Sequence, residues 1–149
     1  MVNKRPEKTG RSFEKNIEAQ LLNLGYKKVK STEFLELSDH SNEKMFASQF
    51  NLGKNIYNTR QIVDFIITRS DDTPLVIQAK WQQSKGSVDE KFPFLVINLK
   101  EKCSFDSLIV IDGGGYRGDS ITWMKEQVDN KLLGVFSYSE FMIWSNDEL

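Results

Sequence analysis

Two apolar runs, Arg60-Gln-Ile-Val-Asp-Phe-Ile-Ile-Thr68 and Leu75-Val-Ile-Gln-Ala-Lys80, flank the turn signal Asp71-Asp72-Thr73-Pro74. Both are rich in β-branched and aromatic residues, which predicts an antiparallel hairpin over residues 60–81. A hairpin this apolar must be covered, so the rest of the chain is constrained to pack on its faces. Side chains alternate along a strand, which puts Gln78 and Lys80 on one face and Leu75, Ile77 and Ala79 on the other. By the same alternation Asp64 shares a face with Ile62 and Ile66, where a charge is costly unless it is paired or metal-bound.

The other segments predict what covers the hairpin. Phe13, Ile17, Leu21 and Leu24 recur at helical spacing, giving an amphipathic helix over 11–24 that Gly25 stops. A basic strand over 27–37 follows, and residues 38–59, polar with scattered aromatics, read as loops with at most a short strand. Ser87 and Glu90 form a capping-box pattern for a helix running to Lys102, which Pro93 must kink or restart. Leu108–Ile111 is wholly apolar, as an interior strand is, and leads into Asp112-Gly-Gly-Gly-Tyr116. A helix over 120–128, a strand over 132–136 and a final helix opened by Ser137 and Glu140 complete an α/β fold, a mixed sheet flanked by helices.

At 149 residues the chain fits one domain spanning 1–149, with a basic tail at 1–10. No apolar stretch approaches the roughly 20 residues of a membrane span, and the N-terminus lacks an apolar signal core, so an intracellular, cytoplasmic protein with no membrane partner is expected. Lone Cys103 forms no internal disulfide, and with only His40 beside it a structural zinc site is disfavoured. Residues 1–30 hold eight Lys or Arg against three acids, +5, which leaves −6 for the remainder of a chain of net charge −1. Such an edge suits phosphate as well as it suits a solvated tail.

Asp64, the Gln78 amide oxygen and the Ala79 backbone carbonyl are oxygen donors of the kind Mg2+ prefers, and Lys80 is placed to orient a water and to stabilise developing negative charge. Gln78 carries no charge, so a second carboxylate is needed. With Phe13 at 0° and about 100° per residue, the apolar arc of the first helix ends near 80°, Glu14 falls near 100° and Glu18 near 140°. Glu14 borders the buried stripe and is the preferred partner; Glu18 remains the alternative.

Asp64, Gln78-x-Lys80 and the helix Phe13-Glu14-x-x-Ile17-x-x-x-Leu21-x-x-x-Gly25 resemble the PD-(D/E)xK nuclease superfamily, in which an aspartate on one strand is followed by acid-x-Lys on the next. The resemblance spans residues 11–133 in element order. It implies that Asp64 is the motif aspartate, Gln78 the variable acid and Lys80 the lysine, with Glu14 joining the metal site. Val63 stands where the family often has proline. The segments Gly86–Phe94 and Val110–Tyr116 are similar to those of restriction-type members.

The resemblance therefore implies a Mg2+-dependent endonuclease acting on double-stranded DNA, as a homodimer or with a larger partner subunit. A structure-specific or homing endonuclease is the alternative within the fold, and a non-catalytic DNA-binding or assembly module the alternative outside it. Candidate DNA contacts are Arg11, Asn58, Arg60, Gln82, Gln83, Lys85, Tyr116 and Arg117, against a reading of these residues as solvated loop and strand ends. The glycines after Ile111 lack the G-x-G-x-x-G spacing and any P-loop lysine, which favours a tight turn over a phosphate cradle.

Overall fold

The computed structural model describes residues 10–70, 72–82 and 88–149. Its elements in chain order are α1 (Gly10–Asn23), β1 (Lys27–Lys28), α2 (Phe34–Asp39), β2 (Met45–Lys54), β3 (Arg60–Arg69), β4 (Asp72–Trp81), a 3-10 turn (Val88–Lys91), α3 (Phe92–Glu101), β5 (Asp106–Asp112), α4 (Gly118–Glu126), β6 (Leu132–Phe136) and α5 (Tyr138–Glu148). Among the described residues, six strands form one sheet in the order β1-β2-β3-β4-β5-β6. The β2–β3 and β3–β4 pairs are antiparallel; the β1–β2, β4–β5 and β5–β6 pairs are parallel. This is the expected mixed α/β sheet.

Each face of the sheet has its own core. Phe13, Ile17 and Leu21 of α1, with Phe141 of α5, cover Phe65, Ile67, Leu75, Ile77, Leu108 and Val110. On the opposite face Phe34, Phe92, Val96, Leu99 and Met124, from α2, α3 and α4, cover Val63, Ile66, Val76, Ile109 and Ile111. Gly25, at φ 91°, ends α1: its N–H reaches the Leu22 carbonyl and that of Tyr26 the Leu21 carbonyl, each at 3.0 Å. That left-handed stop is what the position asks of glycine. Ser137 and Glu140 exchange the reciprocal bonds of a capping box at the start of α5. Among the described residues no helix is long and apolar enough to cross a membrane.

Three expectations are corrected. The basic strand over 27–37 shrinks to Lys27–Lys28, and α2 replaces its second half, because Phe34 alone is buried there while Leu35 and Leu37 stay exposed. The stretch 38–59 contains β2, a ten-residue strand between β1 and β3. Its period of two is hidden: Ala47 and Phe50 both face the α2–α4 core, Gln49 between them has φ 52°, and the register with β3 slips again between Asn51 and Gly53. The helix expected from Ser87 begins at Phe92, with Pro93 in its first turn, where a missing N–H costs nothing; Ser87 itself lies outside the described residues.

Candidate active site

The β3–β4 ladder runs in register through Ile66↔Val76 and Phe65↔Ile77, and its recorded pairs stop there. On its other edge β4 stays paired with β5 as far as Trp81↔Asp112. Beyond Phe65, side chains bridge the two strands. The Asp64 carboxylate accepts the Ala79 N–H at 2.7 Å, and the Gln78 amide oxygen accepts the Asp64 N–H at 3.2 Å.

The face expected for Asp64 is corrected by the same feature. Phe65 and Ile67 pack toward α1, whereas Val63 and Ile66 both pack toward α3, so strict alternation breaks between Val63 and Ile66. The break in β2 at Gln49 lies opposite, since Ser48 pairs with Phe65 and Phe50 with Val63. Asp64 thus occupies a local irregularity of the sheet and bonds across the strand gap instead of entering an apolar face.

Helix α1 supplies the second carboxylate. Phe13 packs against Trp81 at the end of β4, ring centroids 5.5 Å apart, and against Tyr138 at 6.0 Å. That anchor places the next residue, Glu14, in hydrogen-bonding contact with Asp64. Glu18, one turn on, pairs instead with Lys28 at 2.6 Å. The hydrogen bond to Asp64, partial burial and the Asp64 charge together raise the Glu14 carboxyl to about 7, against a partial opposing pull from Lys80. Gln78 is buried, and Lys80, half-buried, lies two residues further along the same strand.

This donor set fits a divalent cation. Two carboxylates in contact repel when both ionise, and a shared proton or a bound cation relieves that repulsion. Mg2+ takes one or two protein carboxylates and completes its shell with water and substrate phosphate, so a pair is sufficient. Among the described residues no three His, Cys, Asp or Glu side chains cluster. Gln78 already accepts the Asp64 N–H, so only its second lone pair is free for a metal.

The raised carboxyl gives a pH signature to metal-free protein. A carboxyl whose pKa is raised by folding contributes stability below its unfolded pKa, about 4.5, and loses it as pH rises through the folded value of about 7. Melting temperature in EDTA is therefore expected to fall between those values, and Glu14→Gln to flatten the slope. Asp129, held down to about 2 chiefly by the Leu132 and Lys131 N–H groups, acts at lower pH and does not mask the effect.

A brace beyond Lys80 was not expected from the sequence. The Gln82 N–H bonds the Asp112 carbonyl at 3.0 Å, its carbonyl accepts the Gly115 N–H at 2.7 Å, and its side-chain amide donates to the Gly115 carbonyl at 2.8 Å. The Tyr116 hydroxyl lies against the carbonyls of Lys80, at 2.6 Å, and Asp112. Gln82 and Tyr116, both DNA-contact candidates from the sequence, support the β4 end in the structure: Gln82 is buried and the Tyr116 hydroxyl is engaged. The chain bends at Gly113 and Gly114, both at positive φ. Arg11, Asn58, Arg60 and Arg117 are exposed, Arg117 in an ion pair with Asp119 at 2.9 Å; Gln83 and Lys85 lie outside the described residues.

No curated protein and no solved structure matches the chain. Residues 5–149 match the sequence model of the PD-(D/E)XK nuclease superfamily domain, a match that takes in every element from α1 to α5. With nearly the whole length covered, and with Asp64 and Lys80 at the parting of two central strands, the chain belongs to the PD-(D/E)XK nuclease superfamily.

Proposed function

We propose that this protein is a restriction-type, Mg2+-dependent endonuclease of double-stranded DNA, with Glu14, Asp64, Gln78 and Lys80 as its active-site residues. The observation that carries the reading is the contact between the Glu14 and Asp64 carboxylates at the parted end of β3 and β4, with Lys80 on the neighbouring strand. Bound Mg2+ supplies charge neutralisation at the scissile phosphate and lowers the pKa of a water ligand.

Each residue then has a defined task. Glu14 and Asp64 would hold the cation, the Asp64 carboxylate accepting the Ala79 N–H. Gln78 ties Asp64 to β4 and offers its free lone pair, and the Ala79 carbonyl is the backbone donor. Lys80 orients the attacking water and stabilises charge developing on the phosphate oxygens. One such site cuts one strand, so cleavage of a duplex calls for two copies of the chain, a larger partner subunit, or sequential nicks; two-fold symmetric dimers on palindromic sequences are the simplest arrangement.

Plasmid, phage and branched DNA incubated with the protein in Mg2+ or in EDTA test the reading. Discrete linear fragments in Mg2+ and none in EDTA are expected. Nicked circles alone would point to a half-enzyme awaiting a partner, and cleavage confined to branched DNA to a structure-specific nuclease. Intact DNA under every condition would overturn nuclease activity.

A further inference from the structure

The β2–β3 turn, α3 and the active-site end of β4 line a cleft of about 370 Å³, with Arg60, Gln61, Gln78, Lys80, Lys91 and Phe94 among its walls. Its walls are fastened. The Asn98 side chain accepts the Ile56 N–H at 2.9 Å, and the Asn55 side chain accepts the N–H groups of Tyr57 and Thr59 at 2.9 and 3.2 Å. The turn is therefore tied to α3 and closed on itself, and the cleft is a built feature of the fold.

Two observations at the cleft point to a ligand. Gln61 is only 8% exposed, yet its amide oxygen has no hydrogen-bond partner. A buried acceptor left unpaired is costly, so such groups usually have a partner that completes them. Tyr57, outside the lining itself, is 73% exposed and stacks on the lining residue Phe94, ring centroids 4.9 Å apart. An aromatic face kept in solvent by stacking on its neighbour is the kind of platform that bases use. Among the described residues neither Arg60 nor Lys91 forms a salt bridge, which leaves both cations available to an anion.

An amide acceptor, an aromatic platform and free cations around one small cavity match the parts of a nucleotide. The volume lies within the roughly 300–1,000 Å³ of small-ligand sites. A base still paired and stacked in a duplex presents only an edge in a groove, whereas a cavity takes a whole base. We propose that this cleft receives one unstacked nucleotide of the strand being cut, its base beside Gln61 and the Tyr57–Phe94 pair and its phosphate toward Arg60 and Lys91. The assignment rests on the nuclease reading, because Gln78 and Lys80 are shared by the cleft and the active site.

Calorimetric titration of the full chain in EDTA with deoxynucleoside monophosphates, and with deoxyribose phosphate as the base-free control, tests it. The nucleotides are expected to bind at least about tenfold more tightly than the control, and Gln61→Leu and Tyr57→Ala each to abolish most of that difference. Gln61→Leu replaces a buried amide whose oxygen is unpaired with an apolar side chain of similar size, so it should fold. Should it melt early, Tyr57→Ala, at an exposed position, carries the test alone. Equal binding of nucleotide and control, no binding of either, or a base preference that survives in a folded variant would each overturn the proposal. DNA cleavage without base-dependent binding would remove the pocket and leave the nuclease reading; base-dependent binding by a protein that cuts no DNA would do the reverse.

Discussion

Lys80→Ala is expected to lower Mg2+-supported DNA cleavage by about a thousandfold while leaving Mg2+ affinity equal or slightly higher. The two halves of that result come from different physics. In the proposed mechanism Lys80 acts where negative charge grows during attack, so its loss is felt in the rate. In the resting site its positive charge opposes a cation, and its removal from beside Glu14 takes away a repulsion. Asp64→Asn should behave differently: the amide oxygen can still accept the Ala79 N–H, so the strand end is kept, but one of two carboxylates is gone and metal binding falls together with cleavage. Single-turnover cleavage and Mg2+ titration of both variants separate the roles. Wild-type cleavage by Lys80→Ala, or loss of metal binding in that variant with cleavage intact, would remove Lys80 from the site.

Gly113→Ala is expected to lower stability by about 3 kcal/mol and the melting temperature by about 6–12 °C. Gly113 sits at φ 113°, and a Cβ built there would lie 2.3 Å from the Gln82 carbonyl oxygen, against backbone that cannot swing away as a side-chain tip can. Gln82 would have to withdraw, and with it the bonds to Asp112 and Gly115 that hold the end of β4 two residues beyond Lys80. Cleavage should therefore fall in the folded fraction as well. Gly114→Ala is the matched control. Its φ of 77° is also unfavourable for alanine, but no heavy atom lies within 4 Å of the added carbon, so the loss should be nearer to about 1 kcal/mol. Thermal melts of the pair decide the matter: equal losses would mean that backbone conformation alone, and not the contact with Gln82, explains the cost.

Legibility differed by element for physical reasons. The hairpin of β3 and β4, the strands β5 and β6 and the capping boxed start of α5 follow from local signals: β-branched runs, a turn dipeptide and reciprocal side-chain bonds within four residues. Strand β2 was illegible because its alternation changes phase at Gln49 and its register slips near Gly53, so a period of two survives only in pieces too short to read. The short β1 depends on pairing with β2, a contact between segments well apart in the chain.

For the site, the helix wheel placed Glu14 at the border of the buried stripe, and the structure brings that carboxylate, and not Glu18, to Asp64. The residue types that define the superfamily, an aspartate in an apolar strand and a lysine two residues after Gln78, were determined by the sequence alone, because a charge in such a strand has few compatible environments. Tertiary structure decided the rest. The strand gap that Asp64 and Gln78 bridge, the support of Lys80 by Gln82 and Tyr116, and the cleft holding Gln61 each join residues from separate elements. Hydrogen bonds and cavities of that kind exist only after the elements dock, and no local pattern of residues encodes them.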